Sequence, residues 1–327
     1  MEIKRRRLLL GTLGLVAGHA AGAEAPTRSA APPPADPRES IDLWPAGAPG
    51  APPTPLVETM VERSTDKSLS DRHVLGIERP RLVVFRPAVP NGASLLIAPG
   101  GGYRWVVVDR EGFEMGRWLA ARGVTAFVMF YRLPGEGWAA GPNVSLVDAQ
   151  RAMRMIRHRA GEFGIDPARV GAMGFSAGGH VCASLLARFD EKIEAPVDAA
   201  DKLSARPFIA APIYPVVTMR APHAHAGSRE KLIGADASAA REHAHSPHLH
   251  VPDDAPPTFL VHAEDDASVP VENTLLLRAA LRTRQVPVET HLFTHGGHGF
   301  GIRKAMGKPA EAWPGLFMAW AKARGWM

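Results

Sequence analysis

The sequence predicts a single α/β domain with an open, mostly parallel sheet flanked by helices. From about residue 56 to the end, short apolar runs bounded by Gly or Pro alternate with longer amphipathic runs. Most of the short runs are rich in β-branched or aromatic residues, as buried parallel strands are. Strands alternating with helices over about 270 residues indicate one domain of this class. With 46% hydrophobic and 22% charged residues in a chain of 327, the composition excludes disorder over the whole length.

Seven strands and five helices are predicted in this region. The strands are predicted at residues 82–85, 94–98, 125–130, 170–175, 209–214, 258–262 and 288–293. The helices are predicted at residues 112–122, 145–163, 177–189, 271–284 and 312–324. Sheets of this kind place their chemistry beyond the carboxyl ends of the strands, so the functional residues are expected there.

Residues 1–23 have the layout of a secretory signal peptide. A basic start at 4–7 precedes an apolar run at 8–17, and the small residues 21–23 form a cleavage pattern. The apolar run is too short to span a bilayer, so we expect a periplasmic or secreted protein without a membrane span in its mature form. The consecutive arginines before leucines also resemble a twin-arginine signal. An ordinary secretory signal and an uncleaved anchor are the alternatives.

Residues 24–55 are predicted to lie outside the folded domain, which we expect at 56–327. The stretch from 24 to about 40 is rich in Ala and Pro and has little to bury, which is typical of a tether. A second Pro-rich stretch at 45–55 follows Trp44 and is expected to lie across the domain surface. No internal repeat is visible.

Charge and cysteine content exclude several functional classes. The formal net charge is +5, but residues 1–23 carry four basic residues against one acid, which leaves +2 for the remainder. This charge is too small to indicate a nucleic-acid partner. The single cysteine, Cys182, excludes an intrachain disulfide framework or a multi-cysteine metal site, and it is expected to be buried.

Residues 174–178 read Gly-Phe-Ser-Ala-Gly, the G-x-S-x-G pattern of a nucleophile turn, between a predicted strand and a predicted helix. Such a turn holds the serine in a strained backbone conformation, and the two glycines remove Cβ atoms that would collide there. The following helix directs its positive end at the serine, where negative charge would develop. The pattern therefore predicts that Ser176 is a nucleophile.

The acid that would accompany this serine is expected just past a late strand. Glu264, Asp265 and Asp266 follow the predicted strand 258–262. Asp266 is favoured, because the acid normally lies three residues before the valine, here Val269, of such a loop. A helix-capping role for the acidic cluster is the alternative.

The histidine that would complete the site is expected after the last strand. His298 lies between glycines in the sequence His-Gly-Gly-His-Gly-Phe at 295–300. A loop of this composition can reach over the serine and still contact the acid, so His298 is predicted as the general base. His295 is the second candidate, although it lies very near the strand end.

Residues 99–103 read Pro-Gly-Gly-Gly-Tyr directly after the strand predicted at 94–98. Consecutive glycines leave backbone N–H groups unshielded, as an oxyanion hole requires. Gly101 and Gly102, together with Ala177 after the nucleophile, are the predicted donors. A phosphate-binding loop is excluded, because no Gly-Lys-Ser/Thr follows. Tyr103 and Trp105 are candidates for the substrate pocket, with a core position as the alternative.

Six of the 14 histidines crowd into residues 222–250, namely His223, His225, His243, His245, His248 and His250. The mixed spacing, the prolines and the absence of an H-E-x-x-H motif favour a solvated loop over a metal site. A contribution of this segment to the pocket walls stays open. Neither a metal ion nor an organic cofactor is expected.

Taken together, these motifs resemble the α/β-hydrolases of the esterase/lipase group, and within it the exported bacterial acetyl-xylan-esterase-like (feruloyl-esterase-related) proteins. The matching stretches are 41–45, 99–103, 131–133, 174–180, 213–216 and 296–300. Pro99 departs from the histidine of hormone-sensitive-lipase-like esterases, and Ala263 stands where related hydrolases usually carry glycine.

The resemblance implies that residues 56–327 form an α/β-hydrolase catalytic domain acting on an ester of a small molecule or oligosaccharide. The expected reaction removes acetyl or similar acyl groups from plant-polysaccharide-derived carbohydrate through an acyl-enzyme. A serine peptidase of the prolyl-oligopeptidase type is one alternative, although its usual amino-terminal propeller has no room before residue 56. A non-catalytic binding protein on a hydrolase scaffold is the other. The oligomeric state stays open.

Overall fold

The computed structural model of the protein describes residues 33–327. The predicted signal peptide and the first residues of the predicted tether lie outside the described residues. Within the described range, the strands are β1 Ser40–Asp42, β2 Thr59–Glu62, β3 Arg72–Leu75, β4 Arg81–Phe85, β5 Ser94–Ala98, β6 Val106–Val107, β7 Thr125–Phe130, β8 Val170–Phe175, β9 Ala210–Ile213, β10 Thr258–Ala263 and β11 Val288–Phe293. The α-helices are α1 Glu114–Ala120, α2 Val144–His158, α3 Ala160–Phe163, α4 Ala177–Arg188, α5 Ala226–Ile233, α6 Ala239–Ala244, α7 Glu272–Thr283 and α8 Trp313–Ala323.

The main sheet has eight strands in the order β1-β4-β7-β5-β8-β9-β10-β11. The six strands from β7 to β11 in this order are parallel, whereas β4 pairs antiparallel with both β1 and β7. A smaller antiparallel sheet contains β2, β3 and β6. Every residue of β5, β7 and β8 is buried, which explains why these strands read as continuous apolar runs. The predicted fold class, a mostly parallel sheet with helices, is confirmed.

The helices differ from prediction in two places. The helix predicted at 145–163 is divided into α2 and α3 at Arg159, whose φ of −102° and ψ of 17° leave the helical region. The segment 222–250, predicted as a loop, contains α5 and α6, and the side chains of His225 and Ser238 cap these helices. Each cap accepts a hydrogen bond from a backbone N–H group in the first turn, which offsets weak helical patterning. In the part of the chain that the structure describes, no helix has the length and apolar character needed to cross a membrane.

The main sheet begins earlier than the predicted domain boundary at residue 56. Strand β1 pairs with β4 at the sheet edge, and Ile41 and Leu43 are buried in the core. Trp44, expected at the head of a surface-lying stretch, is also buried, and its indole Nε1 donates a hydrogen bond to Asp148 Oδ1 at 2.8 Å. A strand of three residues is too short for its alternation to be read from sequence, which explains the difference.

A fully buried ion pair joins the loop after β7 to α2. Arg132 Nη2 lies 2.8 Å from Asp148 Oδ1, and neither side chain has any exposed area. The backbone N–H of Arg132 also donates to Asp148 Oδ2 at 2.9 Å, and Trp44 supplies a further hydrogen bond. The neighbouring Tyr131 hydroxyl donates to the carbonyl oxygen of Pro99 at 2.6 Å. Trp44 thus attaches the amino-terminal segment to Asp148. Tyr131, the neighbour of Arg132, attaches the start of the glycine loop to the same part of the core.

Replacement of this carboxylate is expected to destabilise the protein strongly. Asp148→Asn leaves the Arg132 guanidinium buried without its counter-charge, so the free energy of unfolding should fall by about 3–5 kcal/mol in a urea titration. The control is Asp253→Asn, whose exposed partner Arg284 lies 3.1 Å away, and it should leave the free energy nearly unchanged. A loss of less than about 1 kcal/mol for Asp148→Asn would contradict the expectation.

Candidate active site

Ser176 occupies a sharp turn between β8 and α4, with φ of 54° and ψ of −116°. Crowding by neighbouring backbone explains why glycine flanks the serine on both sides. A Cβ on Gly174 would collide with the carbonyl group of Gly178. A Cβ on Gly178 would collide with the carbonyl oxygens of Ala98 and Pro99. The turn therefore requires glycine at both positions, and it holds the Ser176 side chain at the carboxyl end of the sheet.

The structure brings the three predicted site residues together in one hydrogen-bonded chain. Ser176 Oγ lies 2.8 Å from His298 Nε2, and His298 Nδ1 lies 2.7 Å from Asp266 Oδ2. Because a carboxylate only accepts, Nδ1 carries the hydrogen of a neutral imidazole and Nε2 is left to accept from the serine. Ser176 and Asp266 are buried, whereas the His298 side chain keeps 23% of its area exposed at the cavity.

Asp266 is held as an anion by several donors. Its Oδ1 accepts the backbone N–H groups of Ser268 and Val269, both at 2.9 Å. Its Oδ2 also lies 3.2 Å from His262 Nε2. Burial by itself opposes ionisation, but the hydrogen bonds from His262 and His298 outweigh it and hold the pKa of the Asp266 carboxyl well below its usual value.

His262 is a site residue that sequence reasoning did not single out. It ends the apolar part of β10, is fully buried, and its Nδ1 lies 2.8 Å from Thr274 Oγ1. Its Nε2–H faces both the Val269 carbonyl oxygen at 3.0 Å and Asp266. The available signal was a lone histidine inside an otherwise apolar strand, because a buried imidazole needs partners on both nitrogens.

The competing acid and histidine lie elsewhere in the same loops. Asp265 accepts the backbone N–H groups of Gly296 and Gly297 at 2.9 and 2.7 Å. His295 is 72% exposed and its Nδ1 lies 3.5 Å from Asp265 Oδ2. Glu264 is exposed. The geometry therefore favours Asp266 and His298 over these candidates.

The glycine loop lies beside Ser176 with its backbone in left-handed conformations. Gly101 and Gly102 have φ of 134° and 65°, and both line the cavity that contains Ser176. A side chain on Gly101 would collide with the backbone of Trp105. Among the hydrogen bonds within residues 33–327, none uses the N–H groups of Gly101, Gly102 or Ala177. These groups are therefore free to bind an anionic oxygen.

A buried carboxylate that sequence reasoning missed supports both loops of the site. Glu111 Oε2 accepts the N–H of Gly100 at 2.9 Å, and Oε1 accepts the Tyr214 hydroxyl at 3.0 Å. The Tyr214 oxygen accepts the N–H of Gly301 at 3.1 Å, and burial raises the pKa of Tyr214 well above its usual value. The Tyr214 ring also packs edge-on against His298, with centroids 5.3 Å apart. Glu111 thus connects the glycine loop to the loop that carries the histidine.

The two aromatic candidates for the pocket occupy different places. Tyr103 is buried behind the loop with φ of 59°, and its hydroxyl lies 2.6 Å from His180 Nδ1. Burial lowers the pKa of His180 to about 4, so the neutral ring accepts from Tyr103 and donates from Nε2 to the His245 carbonyl oxygen at 2.8 Å. Trp105 does line the cavity, and its ring stacks on His73 with centroids 4.4 Å apart.

The cavity around Ser176 has a volume of about 370 Å³. His225 forms part of its wall, so the histidine-rich segment contributes to the pocket at this position instead of being wholly solvated. Within the described residues, no group of three or more His, Cys, Asp or Glu side chains is arranged to hold a metal ion. Cys182 is buried, and burial raises the pKa of its thiol to about 12.

Comparison with known proteins identifies relatives of this chain. The family described as BD-FAE matches residues 95–281. Endo-1,4-beta-xylanase B of Butyrivibrio fibrisolvens is 36% identical over 208 residues, which are 64% of this chain and 32% of that protein. Acetylxylan esterase of Xylanibacter ruminicola is 28% identical over 233 residues, 68% of this chain and 44% of that protein. The chain therefore spans less than half the length of either relative.

A solved structure extends the similarity to most of the fold. The acetyl ester-xyloside bifunctional hydrolase from Caldicellulosiruptor lactoaceticus superposes with a TM-score of 0.73 at 32% identity. The superposition covers 89% of this chain and 98% of that one. Together with the parallel sheet and its flanking helices, this similarity identifies the fold as that of the α/β-hydrolases.

The strained backbone of Ser176 predicts an unusual effect on stability. Ser176→Gly should be more stable than Ser176→Ala by about 1 kcal/mol, because glycine adopts a positive φ without the strain of a Cβ. Both variants lose the hydroxyl group bonded to His298, so the alanine variant is the matched control. Urea unfolding of the two proteins measures the difference, and an alanine variant of equal or greater stability would disprove strain at this position.

Proposed function

Because the chain belongs to the BD-FAE family, matched over residues 95–281, we propose that it is a serine-dependent carboxylic-ester hydrolase with a Ser-His-Asp triad. The observation that carries this proposal is the continuous hydrogen-bonded chain from Ser176 through His298 to Asp266. Free backbone N–H groups beside the serine give the second element that acyl transfer needs.

In the proposed acylation step, Ser176 Oγ attacks the ester carbonyl carbon while His298 Nε2, 2.8 Å away, takes its proton. The same nitrogen then gives the proton to the leaving alcohol. Asp266 holds Nδ1–H and stabilises the imidazolium that forms. His262 acts indirectly, through Asp266, because its hydrogen bond keeps the Asp266 carboxylate ionised.

The negative oxygen of the tetrahedral intermediate is proposed to bind the N–H groups of Gly101, Gly102 and Ala177. Ala177 is the first residue of α4, so the positive end of the helix dipole adds to the stabilisation. Loss of one such donor typically lowers turnover by roughly 10²–10³-fold. Water then hydrolyses the acyl-enzyme through His298, and this chemistry requires neither a metal ion nor an organic cofactor.

The proposed substrate is an acetyl or similar ester on carbohydrate derived from plant polysaccharide. Similarity to proteins named acetylxylan esterase and acetyl ester-xyloside hydrolase supports this class. The cavity of about 370 Å³, with Trp105 in its wall, is large enough for a small ester of this class. The predicted export signal at residues 1–23 supports a periplasmic or secreted enzyme that meets such substrates outside the cytoplasm.

A panel of substrates tests the proposed reaction. Acetylated xylo-oligosaccharides, feruloyl esters, p-nitrophenyl acetate and a Pro-linked peptide anilide are offered to the wild type and to Ser176→Ala. We expect acetate release by the wild type and a loss of at least roughly 10³-fold in the variant. A fluorophosphonate probe should label the wild type at Ser176. Cleavage of the anilide alone would support a peptidase, and an unlabelled wild type would support a non-catalytic binding protein.

The role of Asp266 gives a separate expectation. Asp266→Asn should lower kcat/KM for p-nitrophenyl acetate by roughly 10³–10⁴-fold, because an amide at this position no longer selects the correct tautomer of His298. The matched control is Glu264→Gln, a change of exposed charge two residues earlier, which should leave kcat/KM nearly unchanged. Equal losses in the two variants would contradict the proposed role of Asp266.

A further inference from the structure

Three arginines, Arg63, Arg104 and Arg110, line the cavity beside Ser176. Among the described residues that line this cavity, Glu111 is the one that carries a carboxylate. Both oxygens of Glu111 are already occupied, by the N–H of Gly100 and by the hydroxyl of Tyr214. The lining therefore offers more positive charge than its own acid neutralises.

Asp71, a carboxylate that does not line the cavity, lies within 4.0 Å of several arginines. Asp71 Oδ1 lies 2.8 Å from Arg63 and 3.5 Å from Arg303, and its Oδ2 lies 3.5 Å from Arg110. Arg104 has no carboxylate within 4.0 Å among residues 33–327, and its guanidinium lies over the Trp105 ring at 5.6 Å from the centroid. Arg303 also lies 3.3 Å from Glu114 Oε1. Asp71 therefore divides its charge among three guanidiniums, and Arg104 is not one of them.

Arg110 lies close to the histidine loop. Its side chain is only 12% exposed, and in the described part of the chain its buried Nε has no hydrogen-bond partner. A Cβ placed on Gly299, the residue after His298, would lie 3.5 Å from both Arg110 Nη2 and Glu111 Oε1. Burial lowers the pKa of Lys304, and repulsion from Arg110 adds to this effect while attraction to Asp71 opposes it. Arg110 therefore presents its guanidinium beside the loop that carries His298.

We propose that the cavity selects esters that also carry a carboxylate, such as acylated oligosaccharides with a uronic acid unit, and that Arg104 determines this selectivity. The inference rests on the proposed ester hydrolysis and specifies its substrate class. A guanidinium presents its N–H groups in a planar fork that matches a carboxylate, and such charge-assisted bonds are about twice as strong as neutral ones. A bound carboxylate would supply the counter-charge that Arg104 lacks.

The test compares two acetyl esters that differ in one charge, 4-acetoxybenzoate and 4-acetoxybenzamide. To correct for intrinsic reactivity, the kcat/KM for each ester is divided by the rate constant at which hydroxide hydrolyses that ester. The corrected wild-type value should be about tenfold higher for the anionic ester at low salt. The preference should shrink between ~20 mM and ~500 mM NaCl, because salt screens exposed charges. Acetylated xylo-oligosaccharides with and without a uronic acid branch should show the same order.

Two variants test whether Arg104 causes the preference for the anionic ester. Arg104→Gln should reduce the anionic-to-neutral ratio of kcat/KM several-fold, mainly through KM, because Arg104 is exposed and its loss removes charge rather than packing. Arg122→Gln is the matched control, since Arg122 also stacks on a tryptophan, Trp118, but does not line the cavity. Its ratio should equal that of the wild type.

A measurement on the wild type alone avoids dependence on folding of the variants. Benzoate should inhibit hydrolysis of the neutral ester more strongly than benzamide does, and salt should weaken that inhibition. The inference would be overturned if both esters were hydrolysed with an anionic-to-neutral ratio of kcat/KM near one and if benzoate and benzamide inhibited equally. That result would leave the proposed function intact. Hydrolysis of neither ester would overturn the proposed function, and this inference with it.

Discussion

The close approach of three backbone segments at Ser176 is the constraint on which the site depends. The start of α4 lies so near the end of β5 that Gly178 has no room for a side chain beside the carbonyl oxygens of Ala98 and Pro99. Those two residues lead directly into the glycine loop. The same contact therefore brings the glycine loop beside Ser176, whose φ is positive, and Gly101 and Gly102 line one cavity with that serine. One packing arrangement therefore positions both the proposed nucleophile and the proposed oxyanion donors.

The sequence predicted the features whose signals are local. Buried parallel strands are recognisable from continuous apolar runs, and Ser176, Asp266 and His298 each lie in a short motif beside a predicted strand. Glu111 and Tyr214 were not predictable in this way, because their role arises from a hydrogen bond between residues 103 positions apart. Such a pair leaves no periodicity and no spacing rule in the chain.

Several stretches that carry the family resemblance serve packing rather than chemistry. Trp44 and Arg132 both bond to the buried carboxylate of Asp148, and none of these three residues lines the cavity around Ser176. His180, which closes the serine motif, holds the hydroxyl of Tyr103 and so supports the glycine loop from behind. Much of the family resemblance therefore lies in residues that stabilise the fold. This explains why the resemblance predicts the fold more precisely than it predicts the substrate.

The link through Glu111 has a consequence for motion in the proposed reaction. One carboxylate holds the backbone of the glycine loop and, through Tyr214, the backbone at Gly301 just beyond His298. Displacement of either loop by an arriving acyl group would strain hydrogen bonds to the other. In the proposed reaction, the proton acceptor and the amide donors are therefore mechanically coupled, so an acyl group too bulky for one of them would disturb both.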